Sequence, residues 1–138
     1  MIQNIRHIGI VVRDISESYN FYTQLGFIVK SDEIESGNFL DTIIGIKKCQ
    51  IRIIKMIYNN QMIELLEYQT PKSYDHKKEI NSIGCSHIAL TVNNLELIYK
   101  TLLDSGIKFI NAPEANEKVK VAFCKDPNDV YLELVEEL

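Results

Sequence analysis

The chain repeats itself, and a repeat constrains architecture more tightly than any single motif. With His7 placed over His87, an offset of 80, His7-Ile8-Gly9-Ile10-Val11-Val12 lies over His87-Ile88-Ala89-Leu90-Thr91-Val92. Asp14-Ile15 then falls on Asn94-Leu95, Tyr19 on Tyr99 and Gly26 on Gly106, all without a gap. The far ends match at an offset of 69, Met62-Ile63-Glu64-Leu65-Leu66-Glu67 over Tyr131-Leu132-Glu133-Leu134-Val135-Glu136. The fall in offset leaves about eleven extra residues between helix and last strand of the first half, and residues 30 to 49 can hold them.

Each half spells one βαβββ module. Residues 5 to 12 and 85 to 92 alternate and are rich in β-branched residues, so they are expected as strands. A helix follows each. In the first, Asp14 caps the N-terminus with Glu17 three residues on. Ile15, Tyr19, Tyr22 and Leu25 form an apolar stripe, and Gly26 stands where a left-handed residue ends a helix. In the second, Asn94 caps, the stripe is Leu95, Ile98, Tyr99, Leu102 and Leu103, and Gly106 ends it. Each half closes with a hairpin. Residues 50 to 57 and 61 to 68 flank Tyr58-Asn59-Asn60, and residues 118 to 125 and 130 to 136 flank Asp126-Pro127-Asn128-Asp129. The expected fold is α+β, two tandem βαβββ modules forming a curved, partly closed mixed sheet with helices on its outer face. The 138 residues make one domain, with module 1 at 1–69, a linker at 70–84 and module 2 at 85–138.

At 46% hydrophobic and 25% charged, the chain can build a core of useful size without a staple. Its net charge of −4 and pI near 5.4 speak against a nucleic-acid partner. The local basic cluster from Lys72 to Lys78 is broken by Asp75 and reads as solvated linker. No apolar stretch approaches the roughly 20 residues that cross a bilayer, and the N-terminus lacks a signal-peptide pattern, so no membrane partner is expected. Cys49, Cys85 and Cys124 are odd in number and lack C-x-x-C spacing, which points to reduced, mostly buried thiols and a cytoplasmic protein.

Strand parity then assigns faces. Ile8, Ile10 and Val12 are expected to meet the helix, and His7, Gly9 and Val11 the other side. Ile88, Leu90 and Val92 likewise oppose Cys85, His87, Ala89 and Thr91. In the closing strands Ile63 and Leu65 oppose Met62, Glu64 and Leu66, and Leu132 and Leu134 oppose Tyr131, Glu133 and Val135. Both histidines and both glutamates thus fall on the side away from the helices, where Gly9 and Ala89 leave open volume. A lone strand histidine is more often a hydrogen-bonded core residue, and a lone inward glutamate is a costly charge. Four such residues at matched repeat positions favour a set of ligands for one divalent metal ion, because imidazole and carboxylate are its usual donors. Glu67 and Glu136 have the opposite parity and are expected as solvated or edge charges. His76 is expected exposed in the linker, and Cys85 as a buried thiol rather than a fifth ligand.

These segments resemble the vicinal oxygen chelate superfamily over nearly the whole chain. The resemblance rests on His-Ile-Gly-Ile-Val-Val, Tyr19-Asn20-Phe21-Tyr22, Leu25-Gly26-Phe27 and Ile63-Glu64-Leu65-Leu66-Glu67. In the second half it rests on Ser86-His87-Ile88-Ala89, Asp126-Pro127 and Leu132-Glu133-Leu134-Val135. The superfamily includes glyoxalase I, methylmalonyl-CoA epimerase, extradiol dioxygenases, and fosfomycin- and bleomycin-resistance proteins. In its metal-dependent members the first strand of each module gives a histidine and the last an acid or amide, which marks His7, Glu64, His87 and Glu133. A carboxylate at position 64 looks like the glyoxalase arrangement, where the epimerases commonly place Gln. The last hairpin reads Asp-Pro-Asn-Asp where the family often has Asp-Pro-Asp-Gly, a departure that concerns a turn and not the ligands.

The resemblance implies a metal-dependent lyase or isomerase that moves a proton on a carbon beside a metal-bound oxygen of a small carbonyl or thioester substrate. Glu64 and Glu133 are its candidate proton carriers, and Zn²⁺, Ni²⁺, Co²⁺ or Mn²⁺ the candidate ion. The alternative is a non-catalytic protein that sequesters a small molecule. A third reading is an extradiol-type dioxygenase, which would need Fe²⁺ and O₂. A homodimer is expected, because small sheet modules leave edges that are normally paired or covered.

Overall fold

The alternating segments become strands and the capped stripes become helices, at nearly the positions the repeat dictates. A computed structural model describes all 138 residues, which divide into two units, residues 1–75 and 76–138. The first contains β1 (Ile8–Val11), α1 (Ile15–Gln24), β2 (Ile28–Ser36), α2 (Asn38–Ile44), β3 (Gln50–Tyr58) and β4 (Gln61–Thr70). The second contains β5 (His87–Thr91), α3 (Leu95–Asp104), β6 (Glu114–Ala115), β7 (Val119–Lys125) and β8 (Tyr131–Glu137). The fold is α+β. Its strands form two four-stranded mixed sheets, ordered β1-β4-β3-β2 and β5-β8-β7-β6, and neither closes on itself. In each, the first strand runs parallel to the last, and the remaining pairs are antiparallel. A parallel partner needs a crossover, and the helix between the two strands supplies it.

Caps set the helix ends as read. The Asp14 carboxylate accepts from the Ser16 and Glu17 amides at 2.8 and 3.0 Å, and the Asn94 side chain accepts from the Leu97 amide at 3.0 Å. Gly26 and Gly106 take positive φ just past the two C-termini. The turns also behave as their residues require. Asn59 and Asp129 hold positive φ, and the buried Asp126 carboxylate accepts from the Asn128 and Val130 amides at 2.7 and 2.9 Å.

The helix-facing core of the first unit is Ile10, Val12, Ile54, Met56, Ile63 and Leu65 under Ile15, Phe21, Tyr22 and Phe27. Met56 and Leu65 are fully enclosed, so truncating either to alanine is expected to cost about 2–5 kcal/mol. The counterpart in the second unit is Ala122, Cys124, Leu132 and Leu134 with Leu95 and Leu102.

The structure corrects several expectations. The buried stripe of α1 is Ile15, Ser18, Phe21 and Tyr22, and Tyr19 and Leu25 are only half-buried. Ser18 can sit on the sheet because its hydroxyl donates to the Asp14 carbonyl at 3.1 Å, while Tyr19 turns to the side of the helix. Leu103 of α3 is exposed. β1 and β5 are shorter than read, since only residues with a partner on β4 or β8 join the ladder. Cys85 is exposed rather than buried, because it precedes β5 and packs under no helix. Glu136 is not a merely solvated charge: its carboxylate accepts from the Leu95 amide at 2.9 Å, at the N-terminus of α3.

The surplus of the first half is an element of its own. It lengthens β2 and adds α2, which lies on the face of the sheet opposite α1. There Leu40 packs with Cys49, Ile51 and Ile53, joined by Ile44, Ile46, Leu66 and Tyr68. The Asp41 carboxylate ties α2 down by accepting from the Lys48 and Cys49 amides at 2.7 and 2.8 Å. No helix is long and apolar enough to cross a membrane.

Candidate metal centre

In the first unit, β1 and β4 run side by side with Gly9 opposite Glu64, and β3 sets Lys55 opposite Glu64 on the other flank. His7 stands one residue ahead of β1. Its Nε2 lies 3.4 Å from Glu64 Oε2, and Lys55 Nζ lies 3.9 Å from Glu64 Oε1. The Glu64 side chain is only 13% exposed, so its charge needs these partners. The room expected beside Gly9 is taken up by Leu66. A Cβ on residue 9 would meet Leu66 Cδ1 at 3.3 Å, which makes the small residue a condition of close packing there.

The second unit repeats the pair with a different surround. Ala89 and Phe123 flank Glu133, His87 Nε2 lies 3.2 Å from Glu133 Oε2, and the imidazole meets the Phe123 ring edge-on at 5.5 Å. His87 Nδ1 is 3.1 Å from Ser86 Oγ, whose hydroxyl donates to the Ile80 carbonyl at 2.9 Å. A hydroxyl has one hydrogen, so toward His87 the Ser86 oxygen accepts and Nδ1 is the donor. Nε2 therefore faces the Glu133 carboxylate. That contact can be made by a hydrogen bond or through a metal ion that both groups ligate.

The donor spacing fits a shared ion as well as a hydrogen bond. Two adjacent ligands each about 2.1 Å from one ion lie about 3.0–3.4 Å apart, between right-angle and tetrahedral geometry. Both His–Glu pairs fall at or inside that span. The structure brings the four expected ligands together as two pairs, and no group of three or more His, Cys, Asp or Glu side chains is placed to hold one ion.

The sequence model of the glyoxalase/bleomycin resistance protein/dioxygenase superfamily matches residues 4–134. The chain belongs to this superfamily. No curated protein sequence matches it. Among solved structures, a glyoxalase family protein from Bacillus cereus is similar at a TM-score of 0.93 and 17% identity, covering 100% of this chain and 96% of that one. The trypanothione-dependent glyoxalase I of Leishmania major is similar at 0.72 and 22%, covering 98% and 87%. An antibiotic-binding protein from a Streptomyces species is similar at 0.66 and 14%, covering 99% and 98%. These likenesses establish the fold, and the fold serves enzymes and binding proteins alike.

Within the superfamily scaffold, three residues beside the pairs escaped the sequence reading. Lys55 shares the open face by the same parity that selected Glu64, so its alternation with Ile54 and Met56 could have found it. Phe123 has the same signal. Ser86 carries none, because its part depends on the Ile80 carbonyl of a loop. On the α1 side of the first sheet, an open groove of about 430 Å³ runs past Tyr19, Asn20 and Val29 to an Asp32–Arg52 ion pair. Arg52 donates to both Asp32 oxygens at 2.7 and 3.0 Å, and this holds the Asp32 carboxyl below its ordinary range. Burial, helped by nearby Asp126, pushes the Cys124 thiol up to about 12, so it is an inert core residue.

Proposed function

We propose that this chain is a divalent-metal-dependent lyase or isomerase of the glyoxalase or epimerase type. Its substrate is a small carbonyl or thioester compound, and the reaction moves a proton on the carbon next to an oxygen. His7, Glu64, His87 and Glu133 are the proposed ligands of one ion, each unit giving one pair, and Glu64 or Glu133 carries the proton. The observation that supports this is the recurrence of the same His–Glu contact, 3.4 and 3.2 Å, at matched positions of both units.

A bound Zn²⁺, Ni²⁺, Co²⁺ or Mn²⁺ would act as a Lewis acid toward the negative charge that grows on the substrate oxygen as the C–H bond breaks. The protein's part is positional. Ser86 fixes the His87 ring, and a glutamate released from its histidine takes the proton from carbon and returns it to the same or the adjacent carbon. Partial burial of both carboxylates limits competition from water. The three free cysteines fit a reducing, cytoplasmic setting, and a homodimer is part of the proposal.

Binding without turnover is the second reading, supported by exposed Val11 and half-buried Leu66 and Phe123 around the pairs, apolar surface that a small molecule could cover. Solvent exchange separates the two. Metal-loaded protein in D₂O is expected to place deuterium on the α-carbon of an accepted ketone or thioester, and Glu64→Gln, Glu133→Gln or both to abolish it. Binding of such compounds with no wash-in across the panel would overturn the catalytic reading.

A further inference from the structure

β2 is an outermost strand of the first sheet, paired with β3 on one side and with no strand on the other. Its nine residues, Ile28–Ser36, therefore offer alternate amides and carbonyls outward. α1 packs over β3 and β4 and leaves β2 uncovered, and the groove of about 430 Å³ lies between helix and edge strand, floored by Arg52 and Ile54. Register sorts the side chains of β2. Val29, Asp32 and Ile34 stand opposite Met56, Ile54 and Arg52 and share the α1 side, while Ser31, Glu33 and Glu35 stand opposite Lys55, Ile53 and Ile51 and share the other. Three acids against one lysine, Lys30, make the strand negative, and Glu67 lies across from Arg52 on the groove side, so that cation is already matched. A second copy fits this edge poorly. A twofold-related β2 centred anywhere from Asp32 to Glu35 lays an acid against an acid, and the bulge between Val29 and Ser31 breaks the ladder beyond. Yet Ile28, Val29 and Ile34 stay 63, 44 and 58% exposed, which a merely protected edge does not need.

We propose that β2 and the groove beside α1 accept an extended, cationic segment of another protein as a fifth strand of the first sheet. The main chain of the segment pairs with the open edge, and its side chains read the two faces of β2. Opposite Asp32, Glu33 and Glu35 the segment carries Lys or Arg, and opposite Ile34 an apolar residue. The side chain opposite Asp32 enters the groove, where its stem covers Val29 and the Tyr19 ring and its charge meets Asp32. This surface is on the α1 side and edge of the sheet, and it is independent of the His–Glu pairs and of any metal.

The probe is the peptide acetyl-Thr-Lys-Val-Lys-Arg-Thr-amide, which laid antiparallel on Ser31 to Ser36 meets each acid with a cation and Ile34 with valine. Titrated into the ¹⁵N-labelled full chain, it is expected to shift the amide resonances of Ile28–Ser36 and of the groove residues Tyr19 and Asn20, saturating below about 1 mM. Two further peptides, methylated on alternate backbone nitrogens, separate strand addition from charge attraction without altering the protein. Only one set of amides faces β2, so one methylated peptide should lose roughly tenfold or more in affinity and the other stay within about threefold of the parent. The double variant Glu33→Lys/Glu35→Lys, changed at two side chains outside the helix-facing core, should bind the parent peptide roughly tenfold more weakly. No shift in β2 on peptide addition, equal affinities of the two methylated peptides, or unchanged binding by the charge-reversed variant would each overturn the proposal. Shifts of the β2 amides that grow with protein concentration in the absence of peptide would assign the edge to a second copy and overturn it as well.

Discussion

Ser86 shows how a single hydroxyl defines the site. By spending its hydrogen on the Ile80 carbonyl it makes His87 donate through Nδ1, and so leaves Nε2 facing the Glu133 carboxylate. None of this is readable from spacing, since it needs a loop to return beside a strand. The histidines and glutamates themselves were legible, because parity on a strand is a property of the sequence. The Asp32–Arg52 pair was not, since it arises from the register of β2 on β3 across a bulge. It also yields a pH prediction. Asp32 titrates lower in the folded than in the unfolded chain, so its stabilisation is present above the ordinary aspartate value near pH 4 and is lost as pH falls through the lower folded value. Both side chains are about a third or more exposed, which limits the effect to under about 1 kcal/mol. Asp32→Asn is therefore expected to melt slightly below wild type at pH 7 and together with it near pH 2. An equal gap at both pH values would show that the pair does not act through charge.

At the scale of elements, the strands, the two main helices and both hairpin turns follow from alternation, capping and turn residues. The insertion could be located only by subtraction of one offset from the other. Its length revealed the surplus, but Asn38–Ile44 is too short for a periodic pattern, and α2 forms because Leu40 and Ile44 find Ile51 and Ile53 on the sheet. Tertiary contact, not propensity, makes it a helix. Glu136 illustrates the complementary failure. Its parity takes it off the face that carries Glu133, and the opposite face brings it to the first turn of α3, where it accepts from the Leu95 amide. Glu136→Ala is expected to lower unfolding free energy by about 0.5–2 kcal/mol in chemical denaturation while leaving divalent-metal affinity unchanged. A stability equal to wild type, or a large loss of metal affinity, would contradict this assignment.

Across the whole molecule, the proposal joins two small units into one function. Each sheet keeps two edge strands, β1 and β2 in the first and β5 and β6 in the second, and such edges are normally paired or covered. Sedimentation at micromolar concentration is expected to give a species of twice the 15.9 kDa chain mass, and a sole species at the chain mass would count against the dimer. In a dimer, mixing His7→Ala with His87→Ala chains tells a shared centre from one held within each chain, since only a shared centre recovers intact metal binding in the mixed species. The central claim, that His7, Glu64, His87 and Glu133 form one centre rather than two independent pairs, is tested most directly by metal stoichiometry. Equilibrium dialysis of purified protein against Co²⁺ is predicted to give one tightly bound ion per chain, lost almost entirely in His87→Ala and in Glu64→Gln alike. Two ions per chain, with one surviving in each single variant, would contradict the account.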